Sequence, residues 1–503
     1  MLISVVFFAG IFCLCATAFF LFRMNGNTFA ESASYGIITV FMLLSFIRQI
    51  FFIAGIPIIS TWIEAFFLMV SFILVFRHRS YILTIFATLK SFGSTNPILF
   101  IFLGLCFLYM AIHAFLSVPK EFQNELYTII LYTKEGFFSL VAASKFPGFL
   151  PLNHLILFNT FLRFGTDSGA GIFCFLAYLS IGFSTYALAR RYSWQSTAFT
   201  SAILVMSMPR LVVQAIYPGT QIISVAVALF CILAIYRMVE QPNLTDLILL
   251  ILGLFFCISE NISSMIFVPI LFVLSCVIFF RRHGMITWKS LLGKTPYALL
   301  AIVPAVIFSQ SWLFLCNHVY KNSWPGVFSN IFFNTDGIQG ALANFIRYLL
   351  ESFYFTASID IFFERFFNWS MAQTLQSLYD FCIRSFLGES GAAQVFHLTG
   401  IPNEMFSFGP VGFFLVLPAL FYAVLKGPRS LKAVATALIS YFYLISLIVA
   451  WAPGNAKFFD FFYIGSGFSI AFFFPPWRFT KRNQKFFQAA GCCLLFFTLL
   501  AAS

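Results

Sequence analysis

Apolar residues in this chain run in blocks of roughly 17 to 22 between short polar interruptions, the length a helix needs to cross a hydrocarbon core of about 30 Å. The hydropathy pattern places spans near 1–22, 36–56, 57–76, 97–117, 169–189, 196–208, 219–237, 246–258, 264–280, 296–317, 408–425, 431–451, 461–476 and 486–503. Three of these are short, and 246–280 reads either as one broken run or as two helices around Ser259-Glu260-Asn261, so about 12–14 spans are expected. The first run lacks a basic leader and a small-residue cleavage site and is expected to be a retained span. The blocks lack the two-residue alternation of a membrane β-barrel. The pattern therefore predicts an all-α fold, a polytopic transmembrane helical bundle.

Composition narrows the class. The 503 residues are 61% hydrophobic, 20% aromatic and only 9% charged, which excludes a cytosolic enzyme and a secreted disulfide scaffold. Ten of the 11 cysteines lie in or at the ends of apolar runs without metal-ligand spacing and read as small apolar fillers. The net charge of +12 acts as a topology signal. If the chain crosses at every run, 18 of the 29 Lys and Arg fall on one side: Arg23, Arg77, Arg79, Lys90, Arg190, Arg191, Arg237, Arg281, Arg282, Lys289, Lys294, Lys426, Arg429, Lys432, Arg478, Lys481, Arg482 and Lys485. By the positive-inside rule that side is cytoplasmic, and 13 of the 17 acidic residues lie on the other. Nucleic acid is not an expected partner, because the basic residues sit in short loops between spans and not on one accessible face. Arg48 and Glu64 fall inside neighbouring spans, where a lone charge is costly, and are expected to pair with each other.

Two long segments, 118–168 and 318–407, lie on the external side. They divide the chain into N-terminal helices (1–96), a core (97–317) that contains the first external segment, the second external segment (318–407), and C-terminal helices (408–503). Within the first segment, residues 121–140 place Leu126, Ile129, Ile130, Thr133, Phe137 and Leu140 on one helical stripe, the pattern of a helix lying in the membrane interface. Residues 361–387 mix Phe and Trp with Glu364, Arg365, Asp380 and Arg384 in the same way. No nucleotide-binding or metalloprotease motif is present, and the six His are scattered and form no metal cluster. The informative residues are external charges where spans meet loops. Transfer from a phospholipid donor needs a base for the acceptor proton and a cation for the departing phosphate. Glu121 and Glu125 could supply the first, Lys457 and Arg210 the second; each taken alone also fits a solvated loop charge.

Four stretches carry a resemblance: Asn124-Glu125-Leu126-Tyr127 to Gly136; Leu152-Asn153-His154 to Gly165-Thr166-Asp167; Met208-Pro209-Arg210 to Gln214-Ala215; and Phe408-Gly409-Pro410 followed by Trp451 to Phe459. In this order they resemble elements of the GT-C integral-membrane glycosyltransferases, in particular the bacterial branch near the dolichyl-phosphate-mannose protein mannosyltransferases and lipopolysaccharide core sugar transferases. The resemblance implies a GT-C-like bundle with external interfacial helices in a bacterial cytoplasmic (inner) membrane, its active face external. It implies inverting transfer of a sugar from a polyprenyl-phosphate donor to a lipid, glycan or protein acceptor, among membrane lipids as partners. By the same resemblance Glu125 is the expected catalytic base, with Glu121 competing and Asn124 the other residue near the family's Asp position. Lys457, where the family carries Arg, and Arg210 are the expected donor-phosphate ligands, and His154, Asp167, Tyr127 and Gln214 the expected acceptor-side or cavity residues. Some relatives use a divalent metal; the sequence offers no ligand cluster for one, and no cofactor is assigned. Two alternatives stand beside this reading. One is a non-catalytic lipid or glycan transporter or assembly factor; the other is a surface-polysaccharide polymerase or ligase using Arg347, Arg365, Arg384 and His397.

Overall fold

The computed structural model describes residues 2–79, 97–116, 153–216, 220–260, 262–292, 301–322, 333–353, 357–398, 408–453, 455–474 and 480–502. Among the described residues nine helices are long and apolar enough to cross a membrane, or up to 11 if each of two bent pairs is one span. There is no extended strand among them, only isolated bridges joining Phe333 to Val449 and Ala392 to Trp451. The chain forms an all-α polytopic bundle of the multi-pass membrane kind.

Short turns join α1 (Leu2–Met24), α2 (Phe29–Ile53) and α3 (Pro57–Arg77); α4 (Pro97–Phe115) follows. The short helix α5 (Asn153–Leu162) is buried along nearly its whole length. Next come α6 (Ile172–Ala189), the bent pair α7 (Gln195–Met206) and α8 (Pro209–Ile216), then α9 (Thr220–Glu240). Burial orders these helices: 83% of the apolar window of α6 and 89% of that of α9 is inside the protein, against 22% for α3 and 17% for α4. Trp62, Phe66 and Phe76 on α3 and Ile98, Ile101 and Leu105 on α4 are therefore exposed, and helices this apolar are stable at the periphery only against lipid. Centrally, small residues allow close approach. A Cβ on Gly36 of α2 would sit 2.8 Å from the Phe19 backbone nitrogen of α1, and Ser34 meets Ser184 of α6 at 2.7 Å.

The run 246–280 is two helices, α10 (Leu244–Ile258) and α11 (Ile262–Leu292), which settles the alternative left open by hydropathy. The run 296–317 is the second bent pair, α12 (Ile302–Ser309) and α13 (Ser311–Lys321), hinged at Gln310 with φ 49°. In the second long segment α14 (Gly337–Phe353) is followed by α15 (Ala357–Phe367) and α16 (Met371–Tyr379), the last continuing into a π-helical turn over Asp380–Arg384. The single interfacial helix expected over 361–387 is thus broken at Asn368, which takes φ 49°, and Asp360 caps the new start by accepting from the Met371 and Ala372 amides at 2.5 and 3.0 Å. The last long helices are α17 (Gly409–Lys426), α18 (Arg429–Ile448) and α19 (Lys481–Ala502). The span expected over 461–476 is not one helix. It is a chain of short pieces, Asn455–Phe459, Asp460–Tyr463, Gly467–Ser469 and Ile470–Phe473. The Gly465-Ser466-Gly467 sequence interrupts it, and irregular backbone is tolerated here because residues 458–471 are buried in protein and away from lipid. The amphipathic stretch 121–140 lies outside the described residues.

Charged side chains gather at opposite ends of the bundle. At one end Glu31, in a capping box with Thr28, accepts from Arg191 at 2.7 Å and Arg237 at 3.3 Å, and Arg237 also reaches Asp246 at 3.3 Å. At the other, Arg48 grips Glu64 with Nε and Nη2, both at 2.5 Å, as its place inside a span predicts. Arg163 joins the same carboxylate at 2.9 Å, its guanidinium 5.0 and 4.7 Å from the rings of Phe7 and Phe164, and Arg48 also donates to Asn159. Glu31 and Arg48 lie toward opposite ends of α2, about 25 Å apart at about 1.5 Å per residue.

One buried carboxylate therefore serves two guanidiniums. Glu64→Gln is expected to destabilise the fold by about 3–5 kcal/mol, because it strands two buried cations, whereas replacing Arg48, Glu64 and Arg163 together by Met, Leu and Met is expected to recover most of that loss. Thermal unfolding in detergent checks this; a Glu64→Gln protein that melts with the wild type would show that the network contributes nothing.

Candidate functional site

The two helices of the first bent pair meet at 68° where Ser207 and Met208 precede Pro209. The bend turns α8 away from the axis of α7 and carries Arg210 and Gln214, one turn apart, to a single partner. Arg210 Nε donates to Asp460 Oδ1 and Gln214 Nε2 to Asp460 Oδ2 at 3.0 Å, while Arg210 Nη2 donates to Gln221 Oε1 at 2.6 Å at the start of α9. Phe408 lies 5.9 Å from the Arg210 guanidinium carbon and stacks on Tyr463 at 4.2 Å. Gly409, with φ +65°, abuts Pro209 so closely that a Cβ there would meet Pro209 Cδ at 2.8 Å. Two of the four stretches that carry the resemblance, the third around 208–215 and both parts of the fourth, 408–410 and 451–459, thus come to one place at the end of the bundle that holds Arg48.

Trp451 adds a second carboxyl. Its backbone is clamped to the loop after α16, with Trp451 N to Gly391 O at 2.9 Å and Ala393 N to Trp451 O at 2.8 Å. Its indole Nε1 donates to Glu351 Oε2 at 3.1 Å, from the last turn of α14. Burial pushes the Glu351 carboxyl up to about 7, against the opposing effects of the Trp451 hydrogen bond and the Arg210 charge. Lys457, half-buried on the Asn455–Phe459 turn with Nζ 5.5 Å from the Phe458 ring centre, is close enough for its charge to act on Asp460. Four buried polar atoms here, Gln214 Oε1, Glu351 Oε1, Tyr348 Oη and Tyr463 Oη, have no hydrogen-bond partner; Asn455 and Ser352 lie beside the two hydroxyls outside hydrogen-bond geometry. Each unpartnered group costs about 1–3 kcal/mol, and their position beside two cations and two carboxyls makes this the candidate site.

Of the residues singled out by sequence, Arg210, Gln214 and Lys457 meet here. His154 does not: it is buried on α5 with Nδ1 on Glu260, and its Nε2 is left without a partner. Its neighbour Asn153 is fully used, accepting from Gln49 at 2.6 Å and Gln310 at 2.8 Å and donating to the Phe256 and Phe308 carbonyls at 2.9 and 3.0 Å. Asp167 is half-buried in the turn before α6, where its carbonyl accepts from Ala170 at 3.1 Å. Glu121, Glu125 and Tyr127 lie outside the described residues. Of the residues of the polymerase alternative, Arg347 and Arg384 both act on Tyr379. Arg347 is buried and donates to Tyr379 and to the Gly388 and Ser390 carbonyls, Arg384 pairs with Asp380 and Glu389, and Arg365 and His397 are exposed. No group of three or more His, Cys, Asp or Glu arranged for a metal occurs among the described residues.

Glu351, Asp460, Gln221 and Glu260 were not singled out by sequence. For Glu351 a signal existed: Asn344, Arg347, Tyr348, Glu351 and Ser352 recur at helical spacing and all turn inward, a polar stripe on the buried face of α14. Asp460 follows directly on the Trp451–Phe459 stretch. Comparison with protein-family models, curated proteins and solved structures gave no match.

The Glu351 carboxyl sits above its ordinary value of 4.5 in the fold, so it is the protonated form that the fold favours. Its stabilising contribution is complete below that value and is lost as pH rises through about 7. Between about pH 5 and about pH 8 the thermal transition of wild type is expected to fall by more than that of Glu351→Gln. Parallel slopes in a detergent melting series would remove the proposed burial effect.

Proposed function

We propose that this chain is an integral-membrane glycosyltransferase of GT-C type. It moves a sugar with inversion from a polyprenyl-phosphate donor to a lipid, glycan or protein acceptor at the external face of a bacterial cytoplasmic membrane. The observation that carries the reading is the convergence of Arg210, Gln214, Lys457 and the Phe408-Gly409 turn, drawn from two of the four stretches with that resemblance, on one buried polar site at the end of the bundle. The charge balance supports it. Arg210 and Lys457 both act on Asp460, and Arg210 also acts on Glu351. The two cations beside the Asp460 carboxylate leave one net positive charge there, which suits a phosphate in a site of low dielectric. Lys457 is the cation proposed to contact the donor phosphate, while Arg210, held by Asp460 and Gln221, supplies a fixed positive field behind it. The sugar then lies on the side of Glu351 and the two tyrosines.

A non-catalytic role in lipid or glycan transport or assembly is the second reading. The Arg210–Asp460 pair favours it, since it closes the guanidinium on a carboxylate of the protein itself.

The test is transfer of radiolabelled sugar from a panel of polyprenyl-phosphate donors by the purified full chain in detergent, with a membrane-lipid extract as acceptor source. Lys457→Ala is expected to raise the KM for donor on the order of tenfold with a smaller change in kcat, as loss of one charged hydrogen bond worth about 1.5 kcal/mol predicts. An unchanged KM removes the phosphate role of Lys457, and absence of transfer by folded wild type from every donor moves the conclusion to the second reading.

A further inference from the structure

Seven described Asp and Glu side chains are buried: Glu31, Glu64, Asp246, Glu260, Glu351, Asp360 and Asp460. Five of them leave no buried oxygen without a partner. Both oxygens of Glu64 are taken by Arg48, both of Asp460 by Arg210 and Gln214, and both of Asp360 by Ser370, Met371 and Ala372. Only Glu260 and Glu351 keep an oxygen that is buried and unpartnered. Glu260 is matched by His154. Glu351 has a single neutral donor, the Trp451 indole, on Oε2, and its Oε1 is free within the site that holds the cations. The ionisable groups that face it are known from each element packed around it: Tyr348 on its own helix, Arg210 on α8, Tyr463 on the Asp460–Tyr463 piece, and behind Arg210 the Asp460 carboxylate and Lys457.

A carboxyl fixed through one oxygen, with the other presented beside cations suited to a phosphate, has the geometry of a proton acceptor. We propose that Glu351 Oε1 takes the proton of the attacking hydroxyl in the transfer reaction, in place of an acid of the first external segment. This rests on the glycosyl-transfer reading. The acceptor hydroxyl gives its proton to Oε1 as its oxygen forms the new bond to the anomeric carbon. The bond from that carbon to the phosphate oxygen breaks, its electron pair stays on the phosphate near Lys457, and polyprenyl phosphate leaves. Glu351, now neutral, returns the proton to solvent before the next turnover. Trp451 is a positioning residue: its indole fixes Oε2, so that Oε1 is the oxygen left to react. The environment that raises the Glu351 carboxyl to about 7 makes it a far stronger base than an exposed glutamate while leaving much of it ionised near neutral pH.

The experiment compares wild type, Glu351→Gln, Glu351→Asp, Trp451→Phe, Glu121→Gln and Glu125→Gln in the transfer assay across pH, after size-exclusion and melting controls for folding. The expected result is a loss of about 100-fold or more in kcat for Glu351→Gln with donor KM little changed, and partial return in Glu351→Asp. The wild-type rate should fall on the acid side with a midpoint near 7, a limb absent from the residual rate of Glu351→Gln. Trp451→Phe should move that midpoint upward, since it removes the hydrogen bond favouring the carboxylate; this variant decides the matter if Glu351→Gln fails to fold, and an unmoved midpoint overturns the proposal. Retention of rate and acid limb in Glu351→Gln, with loss in Glu125→Gln or Glu121→Gln, overturns the role of Glu351 and leaves glycosyl transfer standing. No transfer by folded wild type overturns both.

Discussion

One buried ion pair joins parts of the chain 250 residues apart and makes the site: Arg210 on Asp460. Taking two charges out of water costs several kcal/mol each, and the pair repays this only if the remaining donors and lone pairs are used. Here they are, by Gln214 on the second Asp460 oxygen and Gln221 on the guanidinium. The consequence is geometric. A helix bent at Pro209 and an irregular segment rich in Gly and Phe, neither of which could lie alone in lipid, are fixed against each other at the end of the bundle. Around that contact Phe408 stacks on Tyr463 and Gly409 closes on Pro209.

The same economy explains the rest of that end of the molecule. Asn153 satisfies two side-chain amides and two backbone carbonyls at once, and so ties α5 to α2, α10, α12 and the hinge at Gln310. Arg48, Glu64 and Arg163 tie α2, α3 and the end of α5. Each helix that ends or breaks there leaves carbonyls or amides that lipid cannot satisfy, so the polar side chains of neighbouring elements do so. Where this accounting is complete the structure is scaffold. The accounting is incomplete at Glu351, Tyr348, Tyr463 and Gln214 in the candidate site, and also at Gln49, His154, Arg163 and Glu260.

The bundle was legible because length and hydropathy are local properties. The boundaries of α1, α3, α4, α6 and α9 fall within a few residues of the apolar runs that predict them. The Arg48–Glu64 pair was legible too, since two opposite charges in adjacent spans have few other ways to be paid for. The piecewise path of 455–473 was not: its composition is that of a span, and burial by α6, α7, α9, α17 and α18 makes its irregular backbone tolerable. Glu351 was hidden for a related reason. In sequence it is one acid among many in an external segment, and what distinguishes it is a tryptophan 100 residues away and an oxygen that nothing else reaches.

The segment that carries Glu351 also has a lipid-like face. Phe366 and Phe367 on α15, Trp369 in the link to α16, Phe381 on the π turn and Phe386 just after it are exposed, from 46% for Trp369 to 82% for Phe386, an apolar outer surface of the kind the interfacial pattern predicts. Arg347 fixes this ledge from within: from the stripe that includes Glu351 it bonds Tyr379 at 2.7 Å and the Ser390 carbonyl at 2.7 Å. The loop it holds is the one whose Gly391 and Ala393 bond the backbone of Trp451, and the indole of Trp451 holds Glu351. The aromatic ledge, the Arg347 clamp, Trp451 and Glu351 are therefore one mechanical unit. Within it, burial of the Glu351 carboxyl raises its affinity for its proton against the opposing Trp451 hydrogen bond.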